Sequence, residues 1–101
     1  MNERVKKMKE IADHYGWDSQ CQIAIEEMSE LTKAICKRQR EWSGSLLSES
    51  TESRERTEII EEIADVWIML VQLTYLLSAD WEVDESINQK IERQLKRMEE
   101  E

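Results

Sequence analysis

Glu61-Glu62-Ile63-Ala64-Asp65-Val66-Trp67-Ile68-Met69-Leu70-Val71-Gln72-Leu73-Thr74-Tyr75-Leu76-Leu77 decides how the chain folds. An acidic cluster runs directly into a segment that is apolar almost all round, with no proline or glycine to interrupt it. The apolar part, Val66 to Leu77, spans twelve residues and is too short to cross a bilayer. A helix apolar on every side must be covered on every side. One small domain rarely covers one helix completely, so the pattern predicts a homo-oligomer with this helix central in a shared bundle.

Working outward, the same helical period recurs. Val5, Met8, Ile11, Ala12 and Tyr15 predict a first helix over residues 2–15, stopped by Gly16. Asp18 or Ser19 is the expected cap of a second helix over 19–40, and Ser19 with Gln22 has capping-box spacing. Its main apolar face reads Cys21, Ala24, Ile25, Met28, Leu31 and Ile35. Residues 41–53, with Trp42-Ser43-Gly44-Ser45 and Ser48-Glu49-Ser50-Thr51, predict a loop, with Leu46 and Leu47 as anchors. The third helix is expected over 52–77. A connection over 78–82, with Asp80 or Asp84 as cap, leads to a last helix striped by Val83, Ile87, Ile91, Leu95 and Met98. Glu99 to Glu101 are expected to fray. The fold class is therefore all-α, a four- to five-helix bundle in a single domain over residues 1–101.

The chain has 101 residues, of which 37% are charged, and a net charge of −9. That balance argues against nucleic acid or an anionic membrane as the main partner. Cys21 and Cys36 fall on one predicted helix, about 22 Å apart at 1.5 Å per residue, so an intact helix forbids a disulfide between them. Reduced cysteines and a charged N-terminal stretch predict a cytoplasmic protein. His14, the one histidine, reads as a surface residue near a helix end.

The chemistry is carried by acids in pairs. Glu27 and Glu30 on the second helix, then Glu62 and Asp65 on the third, are each three residues apart and so share a helix face. At about 100° per residue, Glu27 and Glu30 share a sector with Ile23 and Ala34, and Glu62 and Asp65 continue the line of Met69, Leu73 and Leu76. Acids bordering apolar faces repel one another unless a cation neutralises them. Two such pincers suit a hard, oxygen-seeking ion, Mg²⁺ or Mn²⁺; the plainer alternative is that the acids lie at the solvated edges of the apolar stripes. Lys37, near the Glu30 side, is placed either to meet a phosphate or, more simply, to face solvent beside Lys33 and Glu41.

Glu26-Glu27-x-x-Glu30 followed by Glu62-x-x-Asp65 resembles the signature of the MazG-like all-α nucleoside triphosphate pyrophosphohydrolases, in particular their short phage-type members. Tyr15-Gly16 ahead of Gln20, Ala64-Asp65-Val66, and Lys90-Ile91-x-Arg93 agree with it, over roughly residues 14–97. The resemblance implies a dimer or dimer of dimers that converts a nucleoside triphosphate to the monophosphate and pyrophosphate with Mg²⁺. It implies Glu27, Glu30, Glu62 and Asp65 as metal ligands and catalytic acids, with Glu26 and Glu61 supporting them from behind. It further implies Lys90 and Arg93 on the triphosphate, drawn from either subunit, and Gln20 and Trp17 near the base or sugar. Three alternatives stand beside it. One is a phosphoribosyl-ATP pyrophosphohydrolase with similar acidic helices. Another is a non-catalytic acidic dimer that binds a protein partner. The third, a di-iron bundle, calls for Glu-x-x-His pairs that the chain lacks.

Overall fold

The structure is a computed structural model that describes residues 2–44 and 49–101, with the side chains of residues 2–40 and 52–101. Four helices follow one another: α1 (Glu3–Tyr15), α2 (Trp17–Gly44), α3 (Glu49–Leu76) and α4 (Asp80–Glu100). All regular structure among the described residues is helical. No helix among them is long and apolar enough to cross a membrane.

The start of α1 is capped by Asn2, whose side chain accepts from the Arg4 amide at 2.8 Å, satisfying one of the first-turn donors. Its end is made by Gly16, with φ 86° and ψ 173°, a conformation strained for residues with a Cβ. The Gly16 amide donates to Ala12 O at 2.8 Å, and its carbonyl accepts from Gln20 N at 3.1 Å. One residue thus ends α1 and begins α2. The expected capping by Asp18 or Ser19 does not occur, because Trp17 is already helical and Asp18 lies in the first turn.

The expected loop over 41–53 is also mostly helix. Residues 41–44 continue α2 and residues 49–53 belong to α3. Glycine and serine cost helix stability by about 1 kcal/mol at most, and pairing of the two long helices overrides so weak a preference. Arg38 meets Glu52 at 3.8 Å across this end. Ser45, Leu46, Leu47 and Ser48 lie outside the described residues.

At the other end of α3, Ser78 adopts φ 54°. Its amide donates to Tyr75 O at 2.9 Å, and the Ala79 amide to Thr74 O at 3.0 Å. That pair of bonds is the Schellman arrangement, with serine where glycine is usual. The connection is shorter than expected: α4 starts at Asp80, its capping position is Ala79, and no side chain supplies the cap. α4 also stays helical through Glu100, beyond the start of the expected fraying.

α2 and α3 form a long antiparallel hairpin, and α1 lies along α3, held at one end by Tyr75 Oη donating to Asp13 at 2.7 Å. Lys9 Nζ stands 5.2 Å from the centre of the Tyr75 ring. The apolar core is small: Met8, Ala12, Ala24 and Met69 are buried, together with Gln20, Glu55 and Gln72. Gln20 Nε2 donates to Gln72 Oε1 at 2.5 Å between α2 and α3.

Much apolar surface stays open. α2 turns its Gln20–Ala24–Glu27 face to α3, so of the expected main face Ala24 is buried, Cys21 and Leu31 are half-buried, and Ile25, Met28 and Ile35 stay exposed. On α3, Trp67 is 67% exposed, and Ile63 and Leu70 are exposed beside it. α4 contacts only α3 and buries no residue, so its whole stripe faces solvent. The radius of gyration is 17.3 Å, against about 13 Å for a compact domain of 100 residues.

Candidate metal centre

The α2–α3 register brings Glu27 opposite Asp65, with Glu62 one turn earlier on α3. Carboxylate oxygens from Glu27, Glu62 and Asp65 all lie within 4.8 Å of one another. Glu27 and Glu62 are half-buried and Asp65 is exposed, so the cluster sits at the mouth of the interhelical seam. One oxygen of Glu62, Oε2, is buried and has no hydrogen-bond partner. A buried anionic oxygen without a donor is costly.

The electrostatics follow from this crowding. Desolvation raises the Glu27 carboxyl above the usual carboxylate range, and the Asp65 charge, a hydrogen bond to Asp65, Glu62 and Glu30 add to it. Desolvation likewise raises Glu62, with Asp65, Glu30, Glu61 and Glu58 adding repulsion. A divalent cation would relieve this repulsion, and three converging carboxylates with an orphaned oxygen fit a hard ion.

The fourth expected ligand stands apart. Glu30 is exposed, pairs with Lys33 Nζ at 3.6 Å, and lies outside the group of three. It lines a cavity of about 280 Å³ with Lys33, Ala34, Lys37, Glu58 and Glu62. The cavity therefore joins one edge of the carboxylate cluster to two lysines. Lys37 is half-buried there.

The other expected residues are more scattered. Glu26 and Glu61 point to solvent next to the cluster. Gln20 is buried beside Gln72, its Oε1 unpartnered, farther along the same seam. Trp17, 42% exposed, begins α2 beyond Gln20. Lys90 and Arg93 are exposed on α4, which nothing in a single chain holds against the carboxylates.

Sequence reasoning missed Glu55. It is 1% exposed, and neither carboxylate oxygen has a hydrogen-bond partner among the described residues. Its spacing held the signal: Glu55, Glu62 and Met69 recur every seven residues, which keeps them on one face of α3. Glu58, on that face, was missed as a cavity wall for the same reason. No family model, curated protein or solved structure matches the chain.

Proposed function

We propose that the chain is a metal-dependent nucleoside triphosphate pyrophosphohydrolase, acting on a ribo- or deoxyribonucleoside triphosphate to give the monophosphate and pyrophosphate. The observation that carries the reading is the meeting of Glu27, Glu62 and Asp65 within 4.8 Å from two different helices. The resemblance to MazG-like enzymes supports the same choice of acids.

Glu27, Glu62 and Asp65 would hold Mg²⁺ or Mn²⁺. Such an ion, when bound, lowers the pKa of a coordinated water and draws charge from phosphate oxygens. The chain's own groups do the rest. Glu30 stands outside the group of three but in the same cavity, and is the acid left to accept the proton of the attacking water. Lys33 and Lys37 line that cavity and would neutralise charge growing on the leaving pyrophosphate. Lys90 and Arg93 reach a triphosphate only if a second copy presents them, so the working unit in this reading is a dimer or dimer of dimers. The exposed apolar faces of α2, α3 and α4 favour such an assembly.

The test has two arms. Common ribo- and deoxyribonucleoside triphosphates are incubated with protein and Mg²⁺ and scored for pyrophosphate, with phosphoribosyl-ATP included as a competing substrate. Melting is followed with and without millimolar Mg²⁺ or Mn²⁺, since an ion that binds only the folded chain raises the melting temperature. Pyrophosphate release together with a metal-dependent rise is the expected result. No release from any nucleotide and no shift with either metal would end this reading and leave an acidic binding module in its place.

A further inference from the structure

α4 is an amphipathic helix with nothing to cover it, and α3 has an uncovered groove. Val83, Ile87, Ile91, Leu95 and Met98 form one stripe on α4, each between 37% and 56% exposed. The groove, of about 980 Å³, runs between α1 and the side of α3 opposite the carboxylates, floored by Ile63, Trp67 and Val71. Arg4 and Lys7 of α1 line one side of it. We propose that the chain forms a two-fold dimer in which α4 of each copy lies in the α1–α3 groove of the other, antiparallel to that copy's α3. The proposal is independent of any chemistry at the carboxylates.

Charge chooses the occupant and its direction. At about 100° per residue, the stripe of α4 has an acidic flank, Glu85, Glu92 and Glu99, and a basic flank, Lys90, Arg93 and Arg97. Only the antiparallel setting turns the acidic flank to Arg4 and Lys7. It also turns the basic flank toward the side of α3 that carries Glu62. The exposed face of α2, with Ile25 and Met28, offers no such basic edge beside a cavity.

The connection explains why the helix is exchanged rather than folded back. Only Leu77, Ser78 and Ala79 separate α3 from α4, and Ser78 sits at φ 54°, where a non-glycine residue is strained. α4 lines no part of its own chain's groove and makes no contact with α1. A short strained hinge joining two complementary faces is the setting in which identical elements exchange between copies.

A fold-back centred on Ala79, in the connection, pairs Trp67 with Ile91, each twelve residues from it, and an exchange of α4 between copies keeps that pairing, which defines the experiment. Two single variants, Trp67→Cys and Ile91→Cys, are made in a Cys21→Ser, Cys36→Ser background, mixed, refolded together and mildly oxidised. The expected result is a disulfide-linked dimer from the mixture and from neither variant alone, with sedimentation equilibrium giving twice the chain mass for the parent. Ile91→Glu, at a position exposed in the single chain, is expected to keep its helix content by circular dichroism and to sediment as a monomer. A monomeric parent overturns the proposal. So does a linked dimer from Ile91→Cys alone, which means α4 against α4. Cross-linking of Ile91→Cys to Met28→Cys in place of Trp67→Cys, or an Ile91→Glu variant that stays dimeric, overturns it as well.

Discussion

At the residue scale the most informative groups are carboxylates in the wrong solvent. Glu62→Gln removes one charge from the cluster and one donor oxygen. In the proposed enzyme, pyrophosphate release should fall by more than about 100-fold, the upper range found even for groups that only support a ligand. The same variant should melt higher than wild type without metal and lose the rise given by Mg²⁺; unchanged turnover would remove Glu62 from the site. The pH dependence follows from the raised Glu27 and Glu62 carboxyls. Between the ordinary carboxylate pKa and the raised one, the folded chain holds protons that the unfolded chain has released. Their contribution to stability is full below the ordinary value and is lost as pH rises through the raised values. Melts of the metal-free protein across pH 4–8 should therefore show wild type losing stability relative to Glu62→Gln as pH rises. A difference that grows toward acid instead would contradict the crowding. Glu55 is a separate case: Glu55→Leu removes a buried carboxylate with no hydrogen-bond partner and should gain about 1–3 kcal/mol, read from the urea midpoint. Pairs three apart made the acids at 27, 62 and 65 legible in the sequence. Which acids converge depends on the offset of α2 against α3, and no local pattern encodes that offset, so Glu30 and Glu55 read differently before and after the fold is seen.

At the scale of the elements, the two turns without a long loop govern the hairpins. Gly16 combines φ 86° with ψ 173°, and nothing lies within 4 Å of where a Cβ would stand. Gly16→Ala therefore meets no steric wall, only backbone strain, and should cost about 1–3 kcal/mol. Ser78 is the reverse case: Ser78→Gly relieves a left-handed serine and should stabilise by about 1 kcal/mol. Chemical denaturation of the two variants should move the midpoint in opposite directions; a neutral Gly16→Ala would mean that the turn relaxes into another form. All four helices could be read from periodicity, since apolar residues at three- and four-residue steps leave little choice. Their ends could not. Ser19 and Gln22 matched a capping box that Gly16 pre-empted, and Ser43-Gly44 matched a loop that helix pairing overrode.

At the scale of the molecule, a radius of gyration of 17.3 Å and three open apolar faces leave the single chain less compact than is usual for its length. The all-apolar segment from Val66 to Leu77 carries more apolar surface than one small chain covers, and Trp67, Ile68 and Leu70 are exposed accordingly. What it could not signal was direction: α2 covers the face of α3 holding Glu55, Glu62 and Met69, and the opposite face is left bare. An assembly held through those faces should melt at a temperature that rises with protein concentration. Scanning calorimetry over a hundredfold dilution checks this, and an invariant melting point would mean a self-sufficient single chain.

The Gln20–Gln72 bond has a consequence for the whole assembly of acids. Two smooth greasy rods could glide past one another by a turn, about 5.4 Å, at little cost. Here such a slip would strand two amides in a dry seam, so the glutamines act as a pawl on the ratchet of α2 and α3. The spacing of the three acids is then kept not by the acids, which push apart, but by an uncharged catch two turns away.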